Sequence, residues 1–116
     1  MLNLNHKKLK VYSTSIFLVK EVYALTSSFP VDEKFGLTSQ LRRASVSIPS
    51  NIAEGASRKT VKERIRFYQI ARSSLVEIDT QIVIALELGY LTQTDITELT
   101  ESTNKIFAML TNMMKV

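Results

Sequence analysis

Residues 58–66, RKTVKERIR, place Arg58, Lys59, Lys62, Arg64 and Arg66 against the single acid Glu63. Guanidinium and ammonium groups at this density suit oxyanions. A helix starting at Thr60 would add free N–H donors and its own partial positive charge, so phosphate oxygens are the expected ligand. Arg42 and Arg43 lie well over a turn away, in the preceding helix. Lys7, Lys8 and Lys10 would extend the positive field only if helix packing brings them close. The neighbouring aromatics, Phe67 and Tyr68, fall in phase with a core stripe. Base stacking is therefore not expected, and contact with RNA or DNA would run through the backbone with little sequence preference.

Other chemistry finds few residues to use. His6 is the only histidine, so neither a Glu-x-x-His di-iron pair nor a histidine-based triad can be assembled. Glu54, Glu77, Asp79 and Glu87 are candidate carboxylates, but Glu77 and Asp79 are two apart on a helix and point in different directions. Gly36, Gly55 and Gly89 are isolated turn residues, not a phosphate-cradling loop. With no cysteine, thiolate metal sites and disulfides are excluded. The expectation is a protein without catalytic residues, metal or cofactor.

The 116 residues are 45% hydrophobic and 22% charged, which predicts one globular domain over residues 1–116 able to bury a core. The formal net charge of +4 is uneven. Residues 1–59 hold nine bases and four acids, and the remainder six bases and seven acids. Lys7, Lys8 and Lys10 followed by VYSTSIFLVKEVYAL have the outline of a signal peptide, but Lys20 and Glu21 interrupt the apolar run and no small-residue cleavage site follows. The segment reads as a helix of the mature chain. No apolar run approaches the roughly 20 residues that span a bilayer, and the absence of cysteine favours a reducing, cytoplasmic setting.

Three breaks divide the chain. SSFPVDEKFG carries Pro30 and Gly36. EGASRKT carries Gly55 and ends at Thr60, which with Glu63 forms a capping box. LGYLTQTD carries Gly89 as a helix C-cap, followed by Thr92 and Asp95 as the next N-terminal signal. Four helices result. The first has Leu9, Tyr12, Ile16, Val19 and Tyr23 at steps of three and four, and the fourth has Ile96, Leu99, Thr103, Ile106, Leu110 and Met113. Helices of about 20 to 28 residues joined by short turns favour antiparallel neighbours, so the expected fold is an all-α, up-down-up-down four-helix bundle.

The third helix is too apolar for an isolated bundle. Tyr68, Leu75, Ile78, Ile82 and Leu86 form its core arc, with Phe67 and Ala85 on the flank. Ile70, Ile84 and Leu88 point to the opposite side, where a monomer would meet water. A subunit interface along that face is the expectation. Arg72 and Asp79 fall in or beside the core arc and are expected to form a structural pair, since a buried charge needs a partner.

In the second helix, Leu41, Ala44, Ile48 and Ile52 keep helical spacing across Pro49. Proline cannot donate to the Ser45 carbonyl, so a kink is expected, with Ser45, Ser47, Ser50 and Asn51 as side chains able to satisfy the freed groups. The stretch LTSQLRRASVSIPSNIAEG, followed by RFYQIARSSLVEIDTQIVIALELGYL, closely resembles the 23S rRNA intervening-sequence protein family of small four-helix bundles. SIPSNIAEG and LGYL are its most specific parts. Two positions depart from the family pattern: Ser45, where alanine is usual, and Ser73, where glycine is common. The second substitution would loosen a close helix contact.

The resemblance implies a cytoplasmic bundle that assembles as a homopentamer. Some members are encoded within large-subunit rRNA genes, and a related branch binds RNA and reverse transcriptase as an accessory protein. Two functions follow for this chain: phosphate-directed binding of RNA or DNA, strengthened by repetition of the patch around a ring, or a scaffold for an unidentified protein that uses the exposed apolar face.

Overall fold

The computed structural model describes residues 1–115. Four helices carry the chain: α1 Lys10–Thr26, α2 Leu37–Ala56, α3 Val61–Glu87 and α4 Thr97–Met113. Short 3-10 turns at Asn5–Lys8 and Val31–Glu33 precede α1 and α2, and no strand occurs among the described residues. α2 packs on α1 and α3, and α4 on the same two helices, closing a four-helix bundle.

The expected breaks have physical counterparts. Thr60 has extended backbone and its Oγ1 accepts the Glu63 N–H at 3.2 Å, which satisfies one orphan donor at the start of α3. At the other end Gly89 takes φ +77°, a left-handed conformation natural to glycine. The Tyr90 N–H then reaches the Ala85 carbonyl at 2.9 Å and the Gly89 N–H that of Leu86 at 3.1 Å, the paired bonds of a Schellman stop. Thr92 and Asp95 also make a reciprocal pair, Thr92 N–H to Asp95 Oδ2 at 2.9 Å and Asp95 N–H to Thr92 Oγ1 at 3.4 Å. That pair shapes a turn instead of capping α4, which begins only at Thr97.

α4 buries the expected stripe: Ile96, Leu99, Ile106 and Leu110 are buried, with Thr103 and Met113 half-buried. α1 does not. Its inner face is Val11, Ser15, Leu18, Val22 and Thr26, while Ile16 and Tyr23 are exposed. The helix is rotated from the stripe that its apolar spacing suggests because Ser15 and Thr26 can be buried. Ser15 donates to the Tyr12 carbonyl at 2.7 Å and Thr26 to that of Val22 at 2.8 Å, so neither hydroxyl is stranded.

The most extensive contact is between α2 and α3. Small residues let the two backbones approach. Gly55 lies against the Tyr68 ring, and farther along Ser74 Oγ sits 3.0 Å from Ser47 Oγ. Ser73 is exposed, so the serine there loosens no close helix contact. Pro49 is buried within a helix that runs on to Ala56. The polar side chains around it do other work than expected: Ser45 bonds the Arg42 carbonyl at 2.8 Å, Ser47 meets Ser74, and Asn51 Nδ2 donates to the Ser47 carbonyl at 2.8 Å.

The expected Arg72–Asp79 pair is absent. Arg72 donates to Thr111 Oγ1 at 3.1 Å and stacks over Phe107, both on α4, while Asp79 is exposed. Seven residues separate the two by about 10 Å along the axis, and α4 offers the guanidinium nearer partners. Glu33 clips distant parts together: one carboxylate oxygen accepts the Leu37 N–H at the start of α2 (3.1 Å) and the other the Tyr90 hydroxyl (2.9 Å).

Two measurements probe this packing. A Cβ at Gly55 would come within 2.6 Å of Tyr68 Cε1 and 3.1 Å of Phe67 Cβ. Gly55→Ala should therefore lower stability by about 1–3 kcal/mol in urea unfolding, against a gain of about 1 kcal/mol expected from helix propensity alone. Glu21 on α1 accepts from Ser102 Oγ of α4 at 2.7 Å. Burial pushes its carboxyl up; the Ser102 bond opposes this, and Glu98 and Glu101 add to the rise. A raised folded-state value means the folded chain holds the proton more tightly. The resulting stability is complete below the unfolded value and is lost as pH rises through the folded one. Glu21→Gln removes that loss, so its melting temperature relative to the natural chain should climb as pH rises above the ordinary glutamate range.

Candidate nucleic-acid interface

The basic residues expected to form one patch divide into two groups. Arg42 is engaged: its Nε donates to Thr26 Oγ1 at 2.9 Å, its Nη2 to the Tyr23 carbonyl at 3.4 Å, and its guanidinium lies 4.5 Å from the Tyr23 ring centroid. It closes the last turn of α1, where carbonyls lack helical partners and the helix end carries negative partial charge. Arg43 is exposed on a polar notch with Gln40, Ser47, Glu77 and Gln81. Fifteen residues separate it from Arg58, about 22 Å along a helix, so the structure does not bring Arg42 and Arg43 to the α2–α3 turn.

At that turn the five cations differ. Arg58 pairs with Glu54 at 2.8 Å and stacks 4.7 Å from the Phe67 ring, which fixes it and offsets much of its charge. Arg64 donates to the Arg58 carbonyl at 2.9 Å and braces the loop. Lys59, Lys62 and Arg66 are exposed and form no ion pair; among the described residues the ion pairs are Arg58–Glu54 and Lys105–Glu101. Lys62 and Arg66 share a shallow surface with Val61, Glu63, Ile65 and Gln69 around the first turns of α3. The Tyr68 hydroxyl behind them is raised by burial, against the pull of Arg64. It stays neutral.

The N-terminal turn carrying Lys7 and Lys8 packs on both α1 and α2. Lys7 Nζ donates to the Leu2 carbonyl. Sequence reasoning missed Glu54, Phe67, Tyr23 and Thr26 as partners of the arginines. The Glu54–Arg58 spacing of four was a readable signal; the Arg42–Thr26 contact had none. Ile70, Ile84 and Leu88 are exposed, and no group of three potential metal-ligating side chains occurs among the described residues. No described helix is long and apolar enough to cross a membrane.

The family model for the 23S rRNA-intervening sequence protein matches residues 7–112. A solved structure from Bacteroides thetaiotaomicron VPI-5482, described as a protein of unknown function from the S23 ribosomal protein family, superposes with a TM-score of 0.80 at 18% identity, covering 91% of this chain and 99% of that one. At that identity the likeness concerns the fold alone. No curated protein matches in sequence.

The division of the arginines and lysines is measurable. Arg42→Met should cost about 1–2 kcal/mol in urea unfolding, because Thr26 Oγ1 and the Tyr23 carbonyl lose a charged donor. Lys59→Met and Lys62→Met should each stay within about 0.5 kcal/mol of the natural chain.

Proposed function

Because the chain belongs to the 23S rRNA-intervening sequence protein family, we propose that it is a non-enzymatic, homo-oligomeric bundle that holds RNA or other nucleic acid by its backbone phosphates at the α2–α3 turn. The observation that carries this is the set Lys59, Lys62 and Arg66, exposed and without acidic partners around the capped N-terminus of α3. Arg58 and Arg64 support it by stiffening the loop. Arg42 belongs to the scaffold. No exposed aromatic accompanies the free cations, which supports binding through phosphate without base preference. A cytoplasmic setting fits a chain without thiols.

The up-down antiparallel order and a bend at Pro49 belong to this reading. Contacts of Gly55 with Tyr68 and of Ser47 with Ser74, with numbers rising on α2 as they fall on α3, support the first. The buried proline inside α2 supports the second. Assembly, as a pentamer by family resemblance, is supported by the exposed apolar side chains of α3, Ile70, Ile84 and Leu88 among them. A ring would repeat each basic patch and turn weak phosphate contacts into effective multivalent binding. The same exposed apolar face favours the second reading, a scaffold for another protein.

Gel-shift titration with single- and double-stranded RNA separates the two. Charge reversal by Lys59→Glu, Lys62→Glu and Arg66→Glu together should weaken binding by at least about tenfold, far more than reversal of Lys105 and Lys115, with affinity falling steeply as salt rises. Salt-insensitive binding, equal losses in both variants, or no binding moves the assignment to the protein scaffold.

A further inference from the structure

Between α2 and α3, beside the Ser47–Ser74 contact, the surface sinks into a notch of about 350 Å³, at the small end of the range for ligand pockets. Arg43 and Ala44 come from α2, one turn before Ser47, and Glu77 and Gln81 from α3, one and two turns past Ser74. Gln81 is buried, at 9% exposure, and among the described residues its Oε1 is the one buried side-chain nitrogen or oxygen without a hydrogen-bond partner. An orphaned acceptor of this kind is costly and needs a donor from outside the chain. Glu77 precedes Gln81 by four residues, so both project from one face of α3. Arg43 belongs to the opposite wall. Arg43 and Glu77 are exposed and form an ion pair neither with each other nor with any other described residue.

The lining selects the chemistry of a ligand. Ala44 is its one apolar side chain, so neither a lipid chain nor a stacked base has a wall to lie on. An isolated anion would meet Glu77, and an isolated cation would meet Arg43. A molecule with an ammonium and a carboxylate a few bonds apart suits both, and its N–H groups also serve the Gln81 oxygen.

We infer that this notch binds a free α-amino acid, whose ammonium donates to Gln81 Oε1 and the Glu77 carboxylate and whose carboxylate accepts from the Arg43 guanidinium. Ser47 and Ser74, bonded to each other, join the two walls. Arg43 and Arg58 are about 22 Å apart along the helix, so the site is separate from the cations of the α2–α3 turn and does not rest on nucleic-acid binding there.

Isothermal titration calorimetry with each of the common L-amino acids tests it, with NMR of the isotope-labelled chain locating the site through the Gln81 side-chain amide. At least one amino acid should bind saturably with a Kd of about 1 mM or tighter and shift that amide signal. Its amide and N-acetyl derivatives, which lack the carboxylate and the ammonium and stand for the two ends of a peptide, should each bind at least about tenfold more weakly. Arg43→Met, Glu77→Gln and Gln81→Leu should each weaken binding at least about tenfold, and Lys105→Met should leave it unchanged. Circular dichroism verifies folding, and Gln81→Met takes the place of the leucine variant should that one unfold. The chain carrying Lys59→Glu, Lys62→Glu and Arg66→Glu should lose RNA and keep the amino acid. Failure of every amino acid to bind leaves solvent as the donor to Gln81 and overturns the inference. So do derivatives that bind as tightly as the parent amino acid, notch variants that lose nothing, or guanosine monophosphate shifting the Gln81 amide where no amino acid does.

Discussion

At Gly55 the backbone of α2 lies so close to the Tyr68 ring that a methyl group would collide with it at 2.6 Å, and the geometry of the α2–α3 pair depends on that approach. Gly55 on α2 lies against Tyr68 and Phe67 of α3, and Ser47 meets Ser74, within the most extensive helix–helix contact of the bundle. The pair then sets the remaining positions. α1 lies on α2, tied to it by Arg42; α4 closes against α1 and α3 and is held by fewer contacts. Interiors packed to crystal-like density tolerate little change in volume, so the lack of a side chain at residue 55 fixes how closely α2 and α3 approach there.

That spacing also places the cations. The short turn after Gly55 delivers Arg58 back over Phe67 and onto Glu54, which leaves Lys59, Lys62 and Arg66 as the charges facing water around an α3 N-terminus already capped by Thr60. Around that capped terminus one arginine is fixed by an acid and a ring, while Lys59, Lys62 and Arg66 are exposed without an ion pair, the arrangement on which the proposed phosphate contact rests. The loose α3–α4 seam has the opposite character: apolar walls, a single unpaired carboxylate, and core residues reached from outside. Electrostatics and apolar contact thus occupy different parts of one small bundle.

Much of the fold was legible because it is encoded locally. Thr60 with Glu63 and Gly89 with Tyr90 act within a few residues, and the stripe of α4 is apolar throughout, so spacing located the ends of α3 and the inner face of α4 correctly. α1 was misread because its buried face includes Ser15 and Thr26. Their hydroxyls are satisfied by their own helix, and a reading that equates polar with exposed rotates the helix away from its real orientation. The candidate site was half legible. The density of charge at residues 58–66 was plain, but formal charge does not distinguish Arg58, held by Glu54, from Lys59, held by nothing.

By itself the sequence determined the number of helices, their main breaks, the family and the uneven charge. Each of these rests on residue type and on neighbours within about one helical turn. Tertiary structure alone decided that Arg42 serves α1 and not a ligand, that Arg72 turns to Thr111 and leaves Asp79 unpaired, and that Glu33 joins Leu37 to Tyr90. These partners are 16, 39 and 57 residues apart, the last being the Glu33–Tyr90 bond. Which partner a long side chain finds depends on how helices cross and how closely they approach. That approach is set by the combined volumes of many side chains, and no local spacing records it.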